Sequence, residues 1–373
     1  MQVSSTPECL TIEGEDGRLQ FASLWLRDNA REDRESASGQ RLIDVADLPE
    51  RPRILRAALE GERVRIEWEC ESRPAYFELE WLAAHGPGRA ARPELTVRRW
   101  LEGAALDAHR DFAWSGLAVL RAEPRARLEW LTRLWREGIA FMSGVPEREG
   151  AILDAMALVG FVLETNYGQV FDVRSVAQPE NLAYSDRGLG LHTDNPYRDP
   201  VPGFQALHAL VASAEGGASL FADGFAIAEH LRVTSPEDFA RLTATAVPFH
   251  YRSRNVELYA ERPLIQLSCA GEVAAVHYNN RSIAALRLTA AETEAYYRAY
   301  RQFAMLLREP RWQLSLTIPS GSLVVFDNQR ILHGRTAFSS AREPRHLQGC
   351  YLTRDSVQSE AAMLRRALAE AHR

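Results

Sequence analysis

The 373-residue chain has few cysteines and no long apolar run. Its four cysteines, Cys9, Cys70, Cys269 and Cys350, lack the paired spacing of a disulfide framework, which favours a reducing, cytoplasmic setting. No stretch of about 18 apolar residues is available to cross a membrane. The N-terminus also lacks the charged-then-apolar pattern of a signal segment. We therefore expect no membrane association.

The chain also lacks an excess of positive charge. It has 44 Lys and Arg against 50 Asp and Glu, which gives a formal net charge of −6. A nucleic-acid partner would favour a basic face, so we expect none. The length and an ordinary composition suffice for one large domain and a smaller one.

Residues 1–100 consist of short β-like runs. Glu15-Asp16-Gly17 and Glu60-Gly61-Glu62 lie between such runs and predict hairpin turns. In the second hairpin, apolar residues alternate with charged ones, as in a half-buried strand. The pattern predicts a small β-rich N-terminal domain. A linker is expected at 93–110, followed by a second domain at 111–373.

The second domain is expected to contain helices first and many short strands later. Leu128, Leu131 and Leu134 have helical spacing, and Gly138 marks the end of that helix. Thr289 and Glu292 predict a capping box at the start of a long helix. From residue 164 onward, short strands and irregular loops predict a double-sheet jelly roll. The expected class is mainly β with flanking helices.

One short motif in this domain combines two side chains able to bind a metal. His192 and Asp194 are two residues apart, and alternate residues of an extended strand point to the same face. Such a pair alone is weak, because it also describes a strand-end histidine beside a turn-forming aspartate. His333 follows the strand-like run "SLVVFDN" and adds a second imidazole. Two histidines and one carboxylate form the facial triad of non-heme Fe(II) oxygenases.

Several longer motifs carry a family resemblance. They are "NYGQVFDVRS", "NLAYSDRGLGLHTDNPYRDPVPGFQALHAL", "GGASLFADGF", "VFDNQRILHGRTAF" and "RHLQGCYLTRD". From about Phe161 to Arg366 the chain resembles the γ-butyrobetaine hydroxylase branch of the Fe(II)/2-oxoglutarate dioxygenases, in the taurine dioxygenase superfamily. The resemblance implies a double-stranded β-helix fold and O2 as a co-substrate.

The resemblance also implies roles for individual residues at the metal and co-substrate. His192, Asp194 and His333 would bind Fe(II), and 2-oxoglutarate would chelate the metal. Its distal carboxylate would meet Arg345, supported by Ser219. Arg342 is the rival for that role, and a solvated surface charge is the alternative for both Arg342 and Arg335.

The N-terminal domain departs from the family pattern. In many relatives, cysteines that follow the Arg-Asp-Asn segment hold a structural zinc together with a later histidine. Here the segment from Ala30 to Glu35 has no cysteine, and no histidine lies near Trp68. Zinc requires thiolate or imidazole donors, so we expect no zinc. Glu32, Asp33 and Glu35 are interpreted as carboxylates of a solvated loop.

The substrates of this branch carry a trimethylammonium group, which aromatic faces bind by cation–π attraction. Phe171 stands where relatives often have Trp, and Asn195 stands where the animal enzymes have Tyr. The residues implied in substrate binding are Tyr167, Phe171, Asn181, Tyr184, Asn195, Tyr197, Asn280 and Arg281. Asn181, Asn280 and Arg281 would bind the anionic end. Because Arg281 suits a phosphonate, 2-(trimethylamino)ethylphosphonate is favoured slightly over γ-butyrobetaine.

Two alternatives remain open. The same iron chemistry could act on trimethyllysine, a sulfonate or an amino acid, in which case substitutions of the aromatic residues would matter little. The second, non-enzymatic alternative is a binding protein whose iron site has decayed. Relatives form homodimers, so a homodimer is expected, with the C-terminal helix as a contact.

Overall fold

The structure is a computed structural model that describes residues 2–15, 17–69, 71–88, 96–174, 188–212, 216–337 and 345–371. The chain divides into two compact units, Met1–Pro93 and Glu94–Arg373. None of the helices within these described ranges is long and apolar enough to span a bilayer.

The first unit is built from two antiparallel sheets and two short helices in its described part. Its elements are β1 (Gln2–Thr6), β2 (Cys9–Gly14), β3 (Gly17–Ala22), α1 (Ser23–Asp28), β4 (Ile54–Glu60), β5 (Arg63–Trp68), β6 (Glu71–Glu78) and α2 (Leu79–Ala84). The sheets have the orders β1-β2-β3 and β4-β5-β6. Gly61 adopts a φ of 63° between β4 and β5, a conformation that favours glycine, and this turn confirms the predicted hairpin. The unit is the small β-rich domain that the sequence predicts.

A cluster of ion pairs holds the segment from Ala30 to Glu35, which corresponds to the zinc-binding segment of many relatives. Arg27 is buried and donates from Nε to Oε1 of Glu71 at 2.7 Å. It also pairs with Asp33, which pairs in turn with Arg73. The expectation of a solvated loop is therefore wrong for Asp33, whose side chain is only 12% exposed. Two arginines compensate the burial of that carboxylate, and they lower its pKa against the effect of burial.

The second unit contains most of the strands and the long helices. Its first elements are α3 (Ala108–Asp111), β7 (Ala113–Gly116), α4 (Leu117–Ala122), α5 (Pro124–Glu137), β8 (Ile139–Ser143), α6 (Ala151–Met156), β9 (Val162–Leu163), β10 (Phe171–Val173), β11 (Leu189–His192), β12 (Phe204–Val211) and β13 (Ser219–Asp223). The chain continues with α7 (Gly224–Thr234), α8 (Pro236–Ala244), β14 (Ala246–Arg252), β15 (Glu257–Pro263), β16 (Ile265–Leu267), β17 (Val273–Val276), α9 (Ala290–Arg308), β18 (Gln313–Leu316), β19 (Leu323–Asp327), β20 (Ile331–Arg335), β21 (His346–Leu352) and α10 (Arg354–Glu370).

Two sheets of this unit form the predicted jelly roll. The larger has the order β10-β21-β12-β19-β8-β7, with β9 on β21, and the smaller has the order β11-β20-β13-β18. Phe221 of the smaller sheet contacts Phe326 of the larger, with ring centroids 5.4 Å apart. Apolar side chains from both sheets thus share one core. The mainly β class with flanking helices is confirmed.

The helices follow their sequence patterns. α5 buries Leu131 and Leu134 and ends at Gly138, whose φ of 79° continues the chain in the left-handed region. α9 begins with the predicted capping box of Thr289 and Glu292. The start of α9 and the end of α5 therefore lie where a side chain or the following backbone forms hydrogen bonds with the terminal N–H or C=O groups of the helix.

Residues 96–110, which include most of the predicted linker, belong to the second unit. Trp100 is buried, and its indole nitrogen donates to the carbonyl of Glu137 at 2.8 Å. Its backbone nitrogen donates to Asp223 Oδ2 at 3.0 Å. Asp223 also forms a fully buried ion pair with Arg330, at 2.7 Å. Arg330 in turn donates to the carbonyls of Arg136 and Arg98. This segment is therefore tied to the base of β13 and to the turn before β20.

Candidate active site

Antiparallel pairing of β11 with β20 brings the three predicted metal ligands together. His192 lies opposite His333 in this pairing, and Asp194 follows β11 by two residues. Nε2 of His192 lies 3.2 Å from Oδ1 of Asp194, and Nε2 of His333 lies 3.7 Å from Oδ2. One ligand atom from each residue falls within a 4.8 Å span, which is close enough for all three to hold one ion.

Hydrogen bonds orient the first histidine and the aspartate. Nδ1 of His192 lies 2.8 Å from the carbonyl of Gly190, which assigns the ring proton to Nδ1 and leaves the Nε2 lone pair for a metal. Asn328 forms two bonds with the backbone of Asp194: its Oδ1 accepts from the Asp194 nitrogen at 2.7 Å, and its Nδ2 donates to the Asp194 carbonyl at 3.0 Å. Nδ2 also donates to the carbonyl of Pro202 at 3.1 Å. The loop that carries Asp194 is thus fixed to the turn before β20.

The protonation states of the three side chains suit a divalent metal. Burial, and then the neighbouring His192, lowers the pKa of His333 to about 3. Burial and the charge of Arg281 lower the pKa of His192 as well. Burial alone would raise the pKa of Asp194, but His333 and His192 hold it below its usual range. At neutral pH the site therefore offers two neutral imidazoles and one carboxylate, which is the donor set of a facial triad.

The triad opens into a cavity of about 380 Å³. Two buried arginines, Arg335 and Arg345, line it together with Ser219, which lies opposite Arg335 in the β13–β20 pairing. Burial, and then the charge of Arg335, lowers the pKa of Arg345 to about 10. Sequence reasoning missed Arg335 as a site residue, although its i+2 spacing from His333 places both on one face of β20. Arg342 lies outside the described residues.

Aromatic rings form another wall of the cavity. Tyr167 and Phe171 have centroids 6.4 Å apart, and Tyr197 stacks on Tyr251 at 5.0 Å. Tyr251 also meets Tyr167 edge to face at 6.2 Å, and Phe171 lies 5.0 Å from Tyr351. The cavity thus brings together three of the predicted aromatic residues and two, Tyr251 and Tyr351, that sequence reasoning missed. Tyr184 and Asn181 lie outside the described residues.

Three phenol groups of this wall, those of Tyr167, Tyr197 and Tyr351, are neutral. Burial raises the pKa of Tyr167 above its usual range, and neighbouring tyrosine hydroxyls add to the effect. Burial raises the pKa of Tyr197 and Tyr351 in the same direction. The hydroxyl of Tyr197 donates to Oδ1 of Asn195 at 2.6 Å, and that of Tyr351 donates to Oδ2 of Asp194 at 2.8 Å. These bonds fix two rings beside the metal ligands.

Polar side chains near β17 close the cavity. Arg281 lines it, and its charge lowers the pKa of both His192 and His333. Burial lowers the pKa of Arg281, and Asp194 opposes that effect. Asn195 also lines the cavity and adopts a φ of 55°.

The predicted amide beside Arg281 lies elsewhere. Asn280 is exposed, is not part of the cavity wall, and accepts a hydrogen bond from the hydroxyl of Tyr300 at 3.0 Å. Asn279 lines the cavity in its place and donates to the carbonyl of Thr193 at 3.0 Å. The two amides face different ways because they begin a turn, in which the nitrogens of Ser282 and Ile283 donate to the carbonyl of Asn279.

Comparison with known proteins agrees with this geometry. The sequence model of the family described as "Taurine catabolism dioxygenase TauD, TfdA family" matches residues 109–351, more than half of the chain. The chain belongs to the TauD/TfdA dioxygenase family. This TauD-family chain is 35% identical over 368 residues to γ-butyrobetaine dioxygenase from Pseudomonas sp. (strain AK-1), covering 96% of this chain and 94% of that one.

More distant relatives of the TauD-family chain include animal and fungal dioxygenases. It is 28% identical to human γ-butyrobetaine dioxygenase, over 92% of this chain and 91% of that one. It is 25% identical to trimethyllysine dioxygenase from Meyerozyma guilliermondii, over 98% of this chain and 95% of that one. A solved taurine dioxygenase from Burkholderia xenovorans shares the fold, with a TM-score of 0.50, 16% identity, and coverage of 65% of this chain and 88% of that one.

The residues present fit the cofactors of the TauD family. This dioxygenase uses Fe(II) and 2-oxoglutarate, and when bound the metal and this two-electron donor would activate O2, the oxidant that hydroxylates a C–H bond. Three protein donors on one side of the metal leave the other positions for the co-substrate and O2. Buried arginines in the same cavity suit a dicarboxylate, because a guanidinium can donate two parallel hydrogen bonds to a carboxylate.

Proposed function

We propose that this dioxygenase hydroxylates a small zwitterion that carries a trimethylammonium group. The observation that carries the proposal is the position of the aromatic wall, which lines the same cavity as the His192, Asp194 and His333 cluster. Relatives named for γ-butyrobetaine and trimethyllysine support it, because both compounds contain that group.

His192, Asp194 and His333 bind the iron in this proposal. Arg345 and Ser219 bind the distal carboxylate of 2-oxoglutarate, and Arg335 joins them. Support comes from their burial and from the pairing of Ser219 with Arg335, only two residues from His333. A guanidinium pair matches the two oxygens of a carboxylate, so these residues would orient the keto-acid end toward the metal.

The trimethylammonium group binds among Tyr167, Phe171, Tyr197, Tyr251 and Tyr351. A quaternary ammonium has no N–H group to donate, so ring faces supply the attraction, at about 0.5–2 kcal/mol for each ring. The raised pKa of the buried phenols supports this role, because the rings stay uncharged. They would therefore bind the ammonium group through their faces and not through an ion pair with a phenolate. Tyr184 and Asn181 remain proposed substrate residues, by resemblance.

Arg281 is proposed to bind the anionic end of the substrate, with Asn195 and Asn279 as nearby amides. A phosphonate offers three acceptor oxygens and up to two negative charges, which suits an arginine more than a single carboxylate does. This favours 2-(trimethylamino)ethylphosphonate as the substrate. γ-Butyrobetaine is the second candidate, because the bacterial relative at 35% identity is named for it.

The protein's contribution to the reaction is positioning and exclusion of water. A substrate held at its ammonium end by rings and at its anionic end by Arg281 presents one C–H bond to the metal. Fixing reacting groups in this way lowers the barrier by removing their freedom to rotate and translate. The neutral rings also exclude water from the reacting carbon.

The test is succinate formation by Fe(II)-loaded protein given O2, 2-oxoglutarate and one substrate at a time. The panel is 2-(trimethylamino)ethylphosphonate, γ-butyrobetaine and trimethyllysine. We expect kcat/KM to be highest for the phosphonate, and Arg281→Gln to lower it more for the phosphonate than for γ-butyrobetaine. A preference for γ-butyrobetaine would overturn the phosphonate proposal and keep the cage. No turnover of any of the three by metal-loaded protein would overturn the cage.

We also propose a cytoplasmic homodimer that uses α10 as a contact. The helix buries Val357, Ala361 and Leu364 against its own unit and exposes Met363. Light scattering of the full chain and of Met363→Glu would test the contact. A monomeric full chain would contradict it.

A further inference from the structure

We propose that the hydroxyl of Tyr351 keeps Asp194 to a single metal-binding oxygen, and so preserves a coordination position for O2. This inference rests on the proposed iron site. It adds a positioning residue that acts on the metal through Asp194.

The two oxygens of Asp194 have different surroundings. Oδ1 lies 3.2 Å from Nε2 of His192. Oδ2 lies 3.7 Å from Nε2 of His333 and accepts a hydrogen bond from the Tyr351 hydroxyl at 2.8 Å. A bond from a hydroxyl to a carboxylate is roughly twice as strong as one between neutral groups. The bond occupies one lone pair of Oδ2 and draws electron density from this oxygen, so Oδ2 is the weaker metal ligand of the two, whereas Oδ1 is placed to bind the metal.

The Tyr351 hydroxyl is held in place by the fold. Tyr351 lies on β21, where it pairs with Gln205 of β12 on one side and Leu163 of β9 on the other. Its ring is buried and packs against Phe171, with centroids 5.0 Å apart. A ring fixed by two neighbouring strands and a packed aromatic partner keeps its hydroxyl near Oδ2 with little freedom to leave.

The consequence follows from counting coordination positions. Three protein atoms on one face of an octahedral metal leave three positions. 2-Oxoglutarate uses two of them through its keto-acid group, so O2 has one. If both oxygens of Asp194 bound the metal, that last position would be filled. The hydroxyl of Tyr351 therefore prevents the protein from blocking its own oxygen site.

The test compares wild type with Tyr351→Phe, which keeps the ring and removes the hydroxyl. Each protein is loaded anaerobically with Fe(II) and 2-oxoglutarate, and binding is confirmed by the visible charge-transfer band. Nitric oxide, a stable surrogate for O2, is then titrated and followed by electron paramagnetic resonance. We expect Tyr351→Phe to bind nitric oxide about 10-fold or more weakly, in the range seen when outer-shell partners of metal ligands are removed.

Tyr300→Phe is the matched control, because it removes a buried tyrosine hydroxyl that donates to a side-chain oxygen, Oδ1 of Asn280 at 3.0 Å, away from the cavity wall. We expect it to bind nitric oxide like wild type. Wild-type affinity in Tyr351→Phe would overturn the proposal. Loss of Fe(II) from Tyr351→Phe would overturn it too, since the hydroxyl would then hold the ligand itself. Absence of the charge-transfer band in wild type would instead overturn the proposed iron site.

Discussion

The ring of Phe171 lies over Gly349 on the neighbouring strand. The two residues are opposite each other in the β10–β21 pairing, and a Cβ at Gly349 would lie 2.5 Å from Cε2 of the ring. Because residue 349 has no side chain, the Phe171 ring has space to lie there as part of the proposed cage.

Replacing Gly349 by alanine is expected to displace that ring and weaken substrate binding. Forcing an extra methyl group into a packed site costs about 1–3 kcal/mol, so KM for the ammonium substrate should rise by about 5-fold or more. KM for 2-oxoglutarate should stay near the wild-type value. Steady-state kinetics measures both. Gly116→Ala is the control, because its new methyl group would lie 3.9 Å from Val119. Equal effects of the two variants would contradict the prediction.

The two ends of the cavity should respond to different substitutions. Arg335→Met and Arg345→Met are each expected to raise KM for 2-oxoglutarate by about 10-fold or more, because each removes hydrogen bonds between charged groups worth about 1.5–3 kcal/mol. Arg281→Met should instead raise KM for the substrate. Initial rates with each reactant varied in turn separate these effects. A rise in KM for 2-oxoglutarate in Arg281→Met alone would reverse the assignment of the two ends.

Asp194→Ala should abolish tight Fe(II) binding. The substitution removes the only anionic donor of the cluster, so we expect affinity to fall by more than about 100-fold, beyond the range for outer-shell partners. Anaerobic Fe(II) titration followed by calorimetry measures it. Asp154→Ala makes the same change at an exposed carboxylate that pairs with Arg148, and its affinity should match wild type. Wild-type affinity in Asp194→Ala would place the metal elsewhere.

Buried His277 should make the fold sensitive to acid. Burial, and then the charge of Arg262, lowers its pKa to about 3, and its Nε2 lies 3.2 Å from Oε1 of Gln266. The unfolded chain binds a proton near pH 6.5 while the folded chain does not. The contribution of this histidine is therefore complete above pH 6.5 and falls by about 1.4 kcal/mol per pH unit between pH 6.5 and 3.

Urea denaturation at several pH values tests this dependence. His277→Gln should flatten the fall in the free energy of unfolding below pH 6.5. His109→Gln, at an exposed histidine, should leave the wild-type slope unchanged. An unchanged slope in His277→Gln would mean that this histidine does not contribute.

The buried pair of Arg330 and Asp223 should be important for stability. Arg330→Ala leaves the Asp223 carboxylate buried without its cation, and breaking such a pair costs about 3–5 kcal/mol. The free energy of unfolding in urea measures the loss. Arg311→Ala removes an arginine from an exposed pair with Glu309, and its loss should be about 1 kcal/mol or less. Similar losses in both variants would contradict the prediction.

The metal cluster could be predicted from the sequence because its information is local. His192 and Asp194 share a strand end, and the run before His333 is apolar enough to predict a strand. The capping box of α9 is local in the same way. Arg335 could also have been found, since it stands two residues past His333 on the same strand.

Other site residues depend on distant pairings that the sequence does not display. Tyr351 meets Asp194 across 157 positions of the chain, and Asn328 meets it across 134. Tyr251 has no pattern that distinguishes it from a core tyrosine. Nothing in the sequence distinguishes Asn279 from Asn280. Which of the two side chains faces the cavity depends on the backbone conformation of the segment, and a shift of one residue exchanges them.

The bonds of Asn328 to Asp194 and Pro202 have a consequence for how the protein acquires its metal. Both histidines belong to paired strands, and the aspartate is tied through Asn328 to the turn that precedes one of them. Among the described residues, the three ligands already stand in place, so the free energy of metal binding is not spent on ordering them. We expect the metal-free protein to be fully folded, with iron raising its melting temperature only as any ligand does, through mass action on a ready-made site.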